Sequence, residues 1–146
     1  MSVFASSTFP SFDVAVAPSF VVARVTTTAS LRSSDVLWTQ DHEHVIVALE
    51  RRDAQKQPTL WGSATAKICF TRTGATPSSG DWVAADVGET VPYVGARAQY
   101  TLEYTLSPGS VPGVGTLVAG REYSLWILIE DGSQDSRILV ATVLAK

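Results

Sequence analysis

The two histidines of the chain lie close together in the stretch WTQDHEHVIVALE, residues 38–50, where each follows an acidic residue. If this stretch is already a strand, His42 and His44 project from one face, as the two ligands of an H-x-H metal pair do. A zinc site needs a third protein ligand, however, and the sequence offers no third histidine and a single cysteine, Cys69. The alternatives are a metal site completed by Cys69 or a distant carboxylate, and the polar beginning of a strand. We adopt the second and expect no metal or other cofactor.

Residues that could act in acid, base or nucleophilic catalysis also lack the surroundings that such chemistry needs. Cys69 lies between two apolar residues of an alternating stretch, where a thiol is normally an inert small hydrophobe. No GxSxG sequence marks a serine nucleophile. We expect the acidic pair Glu130-Asp131 to be solvated in a turn, and the charged cluster Arg51–Asp53 to be solvated at a strand end. The sequence therefore predicts a protein that is not an enzyme.

Charge and hydropathy argue against nucleic acid and membrane as partners. The net charge is −3 and the chain has only three lysines, which does not suit a phosphate-binding surface. No apolar run approaches the roughly 20 residues needed to span a bilayer. The first residues are apolar, but they have no basic side chain before Arg24, and Pro10, Asp13 and Pro18 interrupt them. We expect no signal peptide, and synthesis in a cytoplasm without export.

The elements that must position these residues are predominantly strands. Apolar and polar residues alternate with period two in several segments, which is typical of strands with one buried face. A further segment, residues 45–57, begins with β-branched residues and is interpreted as a strand rather than a helix. The predicted strands are 45–57, 63–71, 97–106, 121–130 and 137–144.

Loops and composition define the domain organisation. Gly and Pro concentrate in 73–81 and 107–115, which are predicted loops without a phosphate-binding spacing. Short strands separated by turns predict an all-β, antiparallel immunoglobulin-like β-sandwich over residues 41–146. The composition of residues 1–40 is different and predicts an extended N-terminal arm with one or two strands, of which 19–28 is the clearest.

A partner interface is predicted from apolar residues that the sandwich core does not need. The strand 121–130 has one fully apolar face and a second face that is also partly apolar. A sandwich strand requires only one apolar face, so the second needs a cover, either the chain's own arm or another protein. The predicted interface residues are Phe4, Phe9, Phe12 and Phe20 in the arm, and Trp126 and Leu128 in the strand.

Two blocks of the chain resemble a known family in the order of their features. Residues 44–74 run from a hydrophobic strand with a basic end through a polar loop and a Leu-x-Gly step to an alternating strand. Residues 117–144 follow with Ala-Gly-x-x-Tyr, a long strand, a turn and a closing strand. This order resembles the immunoglobulin-like modules of tailed-bacteriophage virion proteins, especially the N-terminal domain of upper baseplate proteins and related tail accessory domains. The matching positions are Leu60, Gly62, Ala64, Thr65, Phe70, Arg72, Ala119, Gly120 and Tyr123.

The resemblance covers about residues 41–146 and implies a structural role without catalytic residues. Trp61 departs from it, since a small polar residue is more usual there, and so does the arm. We expect a non-enzymatic virion protein that docks on neighbouring capsid, tail or baseplate subunits, as a homo-oligomer or in many symmetric copies. The sequence does not distinguish capsid from tail or baseplate, nor does it decide whether the arm packs on its own chain or on a neighbour.

An alternative function is binding of glycans or of a cell surface. Flat aromatic side chains in or beside loops stack on sugar rings, and three tryptophans are candidates for this role. The residues are Trp38, Trp61 and Trp82.

Overall fold

The computed structural model describes residues 25–94, 97–132 and 134–146 of the chain. Within these ranges the protein is all-β, with a single 3-10 turn at Ser79–Asp81. No helix among the described residues has the length and hydropathy needed to cross a membrane. The strands are β1 (Thr26–Leu31), β2 (Val36–Leu37), β3 (Glu43–Arg52), β4 (Thr65–Arg72), β5 (Val83–Val94), β6 (Arg97–Leu106), β7 (Glu122–Asp131) and β8 (Gln134–Ala145).

The eight strands form one mixed, curled sheet in the order β1-β3-β6-β5-β4-β7-β8-β2. All neighbours are antiparallel except β2 and β8, which are parallel. The strand β5 joins the two parts of this order, because its residues 83–85 pair with β4 and its later residues pair with β6. We call β1, β3, β6 and the later part of β5 the β3 half, and the remaining strands the β7 half.

One hydrophobic core lies between the two halves. Its residues alternate along each strand with polar or half-buried ones, as a strand with one buried face requires. The predicted inward faces of 63–71, 97–106 and 121–130 are confirmed for the residues whose burial is described. Core residues from the β3 half include Val45, Val47, Leu49, Tyr100 and Leu102, and those from the β7 half include Ile68, Phe70, Leu125, Ile127 and Ile129.

Five strands were predicted close to their observed positions, and the one boundary that differs most and the one long strand that was not predicted have simple local causes. The predicted strand 45–57 ends early, at Arg52, because the Asp53 carboxylate accepts hydrogen bonds from the amides of Gln55 and Gln57 and closes a turn. The strand β5 was not predicted. Its sequence, VAADVGETVPYV, carries a glycine and a proline and lacks a clean alternation.

The segment assigned to the arm contributes two strands to this sheet. Residues 26–31 form β1 on the outer side of β3, and residues 36–37 form β2 beside the end of β8. Cα atoms of β1 and β8 come within 8 Å of each other, although the two strands share no ladder. The Gln134 side chain donates a hydrogen bond to the Val25 carbonyl, at 3.2 Å, and ties the beginning of β1 to the beginning of β8.

The expectation that Arg51 is solvated is wrong, and the half-buried Asp131 is paired with it. Arg51 is only 3% exposed, because it follows Leu49 in the inward register of β3. Its guanidinium donates to Asp131 Oδ2 at 2.6 Å and to the Trp61 carbonyl at 2.7 Å. It also lies 5.1 Å from the centre of the Trp61 ring, a cation–π contact. The pair therefore connects β3 to the end of β7 across the two halves.

Candidate interaction surface

The outward face of β7 is apolar at its centre, which is unusual for a strand whose other face lines the core. In the ladder, Trp126 stands between Cys69 of β4 and Leu139 of β8. The next outward residue, Leu128, lies between Lys67 of β4 and Arg137 of β8. We define the outer surface as Trp126, Leu128 and Leu139.

A β-bulge in β8 directs Leu139 outward. Leu125 is paired with Ala141 but Trp126 is paired with Leu139, so Val140 is an extra residue with no partner of its own. If the register of Leu125 with Ala141 continued unbroken, Leu139 would lie opposite Ile127 and point into the core, since side chains alternate along a strand. Instead Leu139 is 53% exposed beside the indole of Trp126. The bulge thus adds an exposed apolar side chain to the outer surface.

The loop between β4 and β5 covers one side of this surface. The Thr71 hydroxyl donates to the Ala75 carbonyl at 3.0 Å, and it accepts a hydrogen bond from the Trp126 indole nitrogen at 3.0 Å. Under this cover Cys69 is fully buried and Ser124 is only 4% exposed. Part of the cover predicted for the second face of β7 therefore comes from the chain's own loop, and the Leu128 and Leu139 side remains accessible.

The thiol of Cys69 is unsuited to nucleophilic chemistry. Burial, together with the negative charge of Asp81 and against the opposing effect of Arg137, raises its pKa from 9.0 to about 12. The thiol is therefore protonated at neutral pH, whereas a reactive cysteine is a thiolate. This agrees with the prediction that Cys69 behaves as a small buried hydrophobe.

A cleft of about 410 Å³ adjoins the outer surface at the end where β7 meets β8. The ring of Trp82 and the side chain of Leu128 provide its apolar walls. Charges of both signs surround them, and Lys67 Nζ lies 3.2 Å from Glu130 Oε1. The cleft is lined by Lys67, Ser79, Trp82, Leu128, Glu130, Asp135 and Arg137.

The structure describes only two of the predicted interface residues. Trp126 and Leu128 lie side by side on the outward face of β7, and both are half-buried. Leu139 completes the surface but was missed, because its outward position depends on a bulge that the sequence pattern does not reveal. The arm residues Phe4, Phe9, Phe12 and Phe20 lie outside the described residues.

The two histidines do not converge on a common ligand position. The strand β3 begins at Glu43, so His42 lies exposed before it. Both ring nitrogens of His44 face β6, with Nδ1 at 3.2 Å from the Thr105 hydroxyl and Nε2 at 3.3 Å from Glu103 Oε1. Across the described ranges, no group of three or more His, Cys, Asp or Glu side chains is placed to hold a metal ion.

The three tryptophans proposed to stack on sugars have different environments. Trp38 is 53% exposed. Trp61 packs against the core, with its indole nitrogen bonded to the Ala64 carbonyl at 2.7 Å and its ring against Arg51. Trp38 and Trp82 each line a cleft with several polar side chains, and the cleft of Trp82 is the larger, at about 410 Å³.

Comparison with known proteins adds no identity: no family model matches the chain, and no curated protein matches its sequence significantly. A function must therefore be inferred from the surfaces of the molecule and from the pattern of its sequence.

Proposed function

We propose that the protein is a non-enzymatic structural or accessory protein of a tailed-phage virion. In this proposal the curled sheet is an immunoglobulin-like β-sandwich that acts as a rigid body and docks on neighbouring capsid, tail or baseplate subunits. The observation that carries the proposal is the outer surface, where Trp126 and Leu128 of β7 and Leu139 of β8 form an apolar patch on two strands whose opposite faces already pack on the core. The virion setting is supported by the resemblance of residues 41–146 to phage modules.

Burial of the outer surface would supply the binding free energy. A tryptophan side chain buries about 150–250 Å² and acts as an anchor in protein interfaces. The bond from Trp126 Nε1 to the Thr71 hydroxyl already fixes the orientation of the indole, which reduces the entropy lost on docking. Apolar area of this kind is typical of an interaction site when it is contiguous.

An unpaired strand edge lies beside the outer surface. In the described residues β8 pairs with β2 only at Leu144 and Ala145, so residues 134–143 have no ladder partner on that side. Where β1, which comes within 8 Å of β8, leaves this edge open, it accepts an added strand from another chain, whose main-chain hydrogen bonds give affinity. Strand addition at β8 would place the added segment next to the exposed Leu139.

The arm is the second docking element of the proposal. Its residues Phe4, Phe9, Phe12 and Phe20 would bury apolar area on a neighbouring subunit. Ordering an extended segment lowers the affinity per unit area, but a long segment wraps a large surface. Many copies in a symmetric particle then bind with avidity. The protein would be made in the host cytoplasm and retained in the virion.

Incorporation into particles tests this function. Deletion of residues 1–20 should abolish recovery of the protein in purified phage particles, while circular dichroism still shows a folded sheet. Leu139→Glu should reduce recovery as well, because it places a charge in the outer surface. Leu60→Glu is the matched control, since Leu60 is 61% exposed and lies in the loop before β4. Normal recovery of both the deletion and the Leu139 variant would reject the proposal.

Glycan binding is the second candidate, and the cleft beside Trp82 favours it. An aromatic ring flanked by Lys67, Glu130 and Asp135 combines a stacking surface with hydrogen-bonding groups for sugar hydroxyls. Titration with host polysaccharide should change the tryptophan fluorescence of the protein, and Trp82→Ala should remove the change. Trp38→Ala serves as the control. An unchanged spectrum at saturating polysaccharide would exclude this candidate.

A further inference from the structure

A cavity lies in the β7 half where β4 ends and β7 begins. Its volume is about 440 Å³, which lies within the range of small-ligand sites, about 300–1,000 Å³. Tyr123 contributes a buried wall and is 2% exposed. The position of its ring is fixed, because its hydroxyl accepts a hydrogen bond from the Val118 amide at 2.8 Å.

The connection between β6 and β7 forms a preformed wall of this cavity. The Phe70 amide donates to the Pro112 carbonyl at 2.9 Å, which holds the connection against β4. The contact is so close that a Cβ atom at Gly113 would meet the Phe70 carbonyl oxygen at 2.2 Å. Val111 and Gly115 exchange two hydrogen bonds of 2.8 Å and close the turn between them. A ligand would therefore meet a wall that needs little ordering.

Two arginines line the cavity on either side of Tyr123. Arg72 is directly opposite Tyr123 in the ladder between β4 and β7, and Arg121 precedes Tyr123 by two residues. Arg121 immediately precedes β7, so both arginines stand at the same end of the β4–β7 ladder. Both are exposed, and within the described ranges neither takes part in an ion pair.

The other lining groups define the charge and polarity of a ligand. Asp81 is the only acidic residue among the cavity's lining, and its carboxylate accepts a hydrogen bond from the Ser78 amide at 2.8 Å. With two arginines, the lining has an excess of one positive charge, which suits a monoanion and disfavours a dianion. Val114 and Val118 add apolar area beside these charges.

We propose that this cavity binds a small organic monocarboxylate, with the carboxylate held between Arg72 and Arg121 and an apolar body against Val114 and Val118. A guanidinium binds a carboxylate through paired N–H···O bonds, so two arginines give both affinity and orientation. The site contains none of the three outer-surface residues, although Thr71 of its lining binds the Trp126 indole, and the proposal does not depend on the docking function.

Amide NMR spectra of the full-length protein, titrated with benzoate, test the site. Saturable shifts should appear at Gly113 and Val114. Arg72→Gln and Arg121→Gln should each weaken benzoate binding about tenfold or more, as loss of a charge-assisted bond does. Arg32→Gln is the matched control, because Arg32 is an exposed arginine outside the cavity and its loss should leave the affinity unchanged.

Two further probes define the ligand class. Benzyl alcohol, the uncharged analogue, should bind more weakly than benzoate, and so should inorganic phosphate, which is partly a dianion at neutral pH. The proposal is overturned if benzoate causes no saturable shift at these amides, or if its affinity survives both glutamine variants in folded protein. Binding of inorganic phosphate as tight as that of benzoate would overturn the assignment to monocarboxylates.

Discussion

Arg51 and Asp131 form an ion pair that links the two halves of the sheet, with Nη2 and Oδ2 2.6 Å apart. The arginine side chain is 4% exposed and the aspartate side chain is 35% exposed, so the pair lies at the border of the core. The guanidinium also binds the Trp61 carbonyl, although its Nε is buried without a hydrogen-bond partner among the described residues. Removing the carboxylate would leave most of a buried positive charge uncompensated.

Asp131→Asn should therefore lower the free energy of unfolding by on the order of 3 kcal/mol, as breaking a buried pair from one side does. Urea denaturation at neutral pH measures this loss. Glu50→Gln is the matched control, because its partner Arg52 is 3.3 Å away and 41% exposed. The control should cost less than about 1 kcal/mol. Equal losses of stability in the two variants would show that the ion pair of Arg51 and Asp131 stabilises the protein no more than the exposed pair does.

Cys69 should make stability fall at alkaline pH. The unfolded thiol has a pKa near 9.0 and the folded thiol one of about 12, so between these values the unfolded chain binds fewer protons. The free energy of unfolding then decreases as the pH rises from 9 towards 12, and this contribution is constant below pH 9. Cys69→Ala should show a smaller decrease over the same interval in urea denaturation. Identical pH profiles for the two proteins would contradict the raised pKa.

The close approach of Gly113 to β4 predicts a large effect of a single methyl group. Gly113→Ala combines a positive φ of 90° with a clash against the Phe70 carbonyl. Gly74→Ala has a φ of 91° and open space around its Cβ, so it isolates the backbone strain. We expect about 1 kcal/mol for the Gly74 variant and about 1–3 kcal/mol more for the Gly113 variant. Thermal unfolding measures both, and equal losses would exclude the clash.

Tyr100→Phe should destabilise the protein by about 1 kcal/mol, because the Tyr100 hydroxyl accepts the hydrogen bond of the Trp61 amide at 2.9 Å. The rings of Tyr100 and Trp61 lie 5.4 Å apart and would remain in contact in the variant. Tyr104→Phe is the control, since its hydroxyl makes no hydrogen bond to a described residue. Urea denaturation should give a lower free energy of unfolding for Tyr100→Phe than for Tyr104→Phe. An unchanged free energy of unfolding in Tyr100→Phe would mean that water replaces the hydroxyl.

Local periodicity was sufficient to locate the strands with one wet face. The strand β6 occupies Arg97–Leu106, the range predicted from its alternation, and Leu102 and Leu106 point into the core as that alternation requires. The same alternation would have placed Arg51 inward, one step after Leu49. We nevertheless predicted Arg51 to be solvated because it is charged, and the residue that compensates its charge cannot be recognised from the local sequence. That partner, Asp131, lies 80 positions later in the chain.

The candidate sites depended on tertiary structure to different degrees. Trp126 and Leu128 could be singled out from the sequence, because a strand with two apolar faces is a local pattern. The exposure of Leu139 follows from a bulge, and the neighbourhood of Arg72 and Arg121 follows from the pairing of β4 with β7.

By itself, then, the sequence determined that the chain is all-β and which residues of β4, β6 and β7 face the core, since the period of side chains along a strand is a local property. Only the tertiary structure decided the order of the strands, the burial of Arg51 and the outward turn of Leu139. These depend on which strands pair and in what register, and register is set by contacts between segments far apart in the chain.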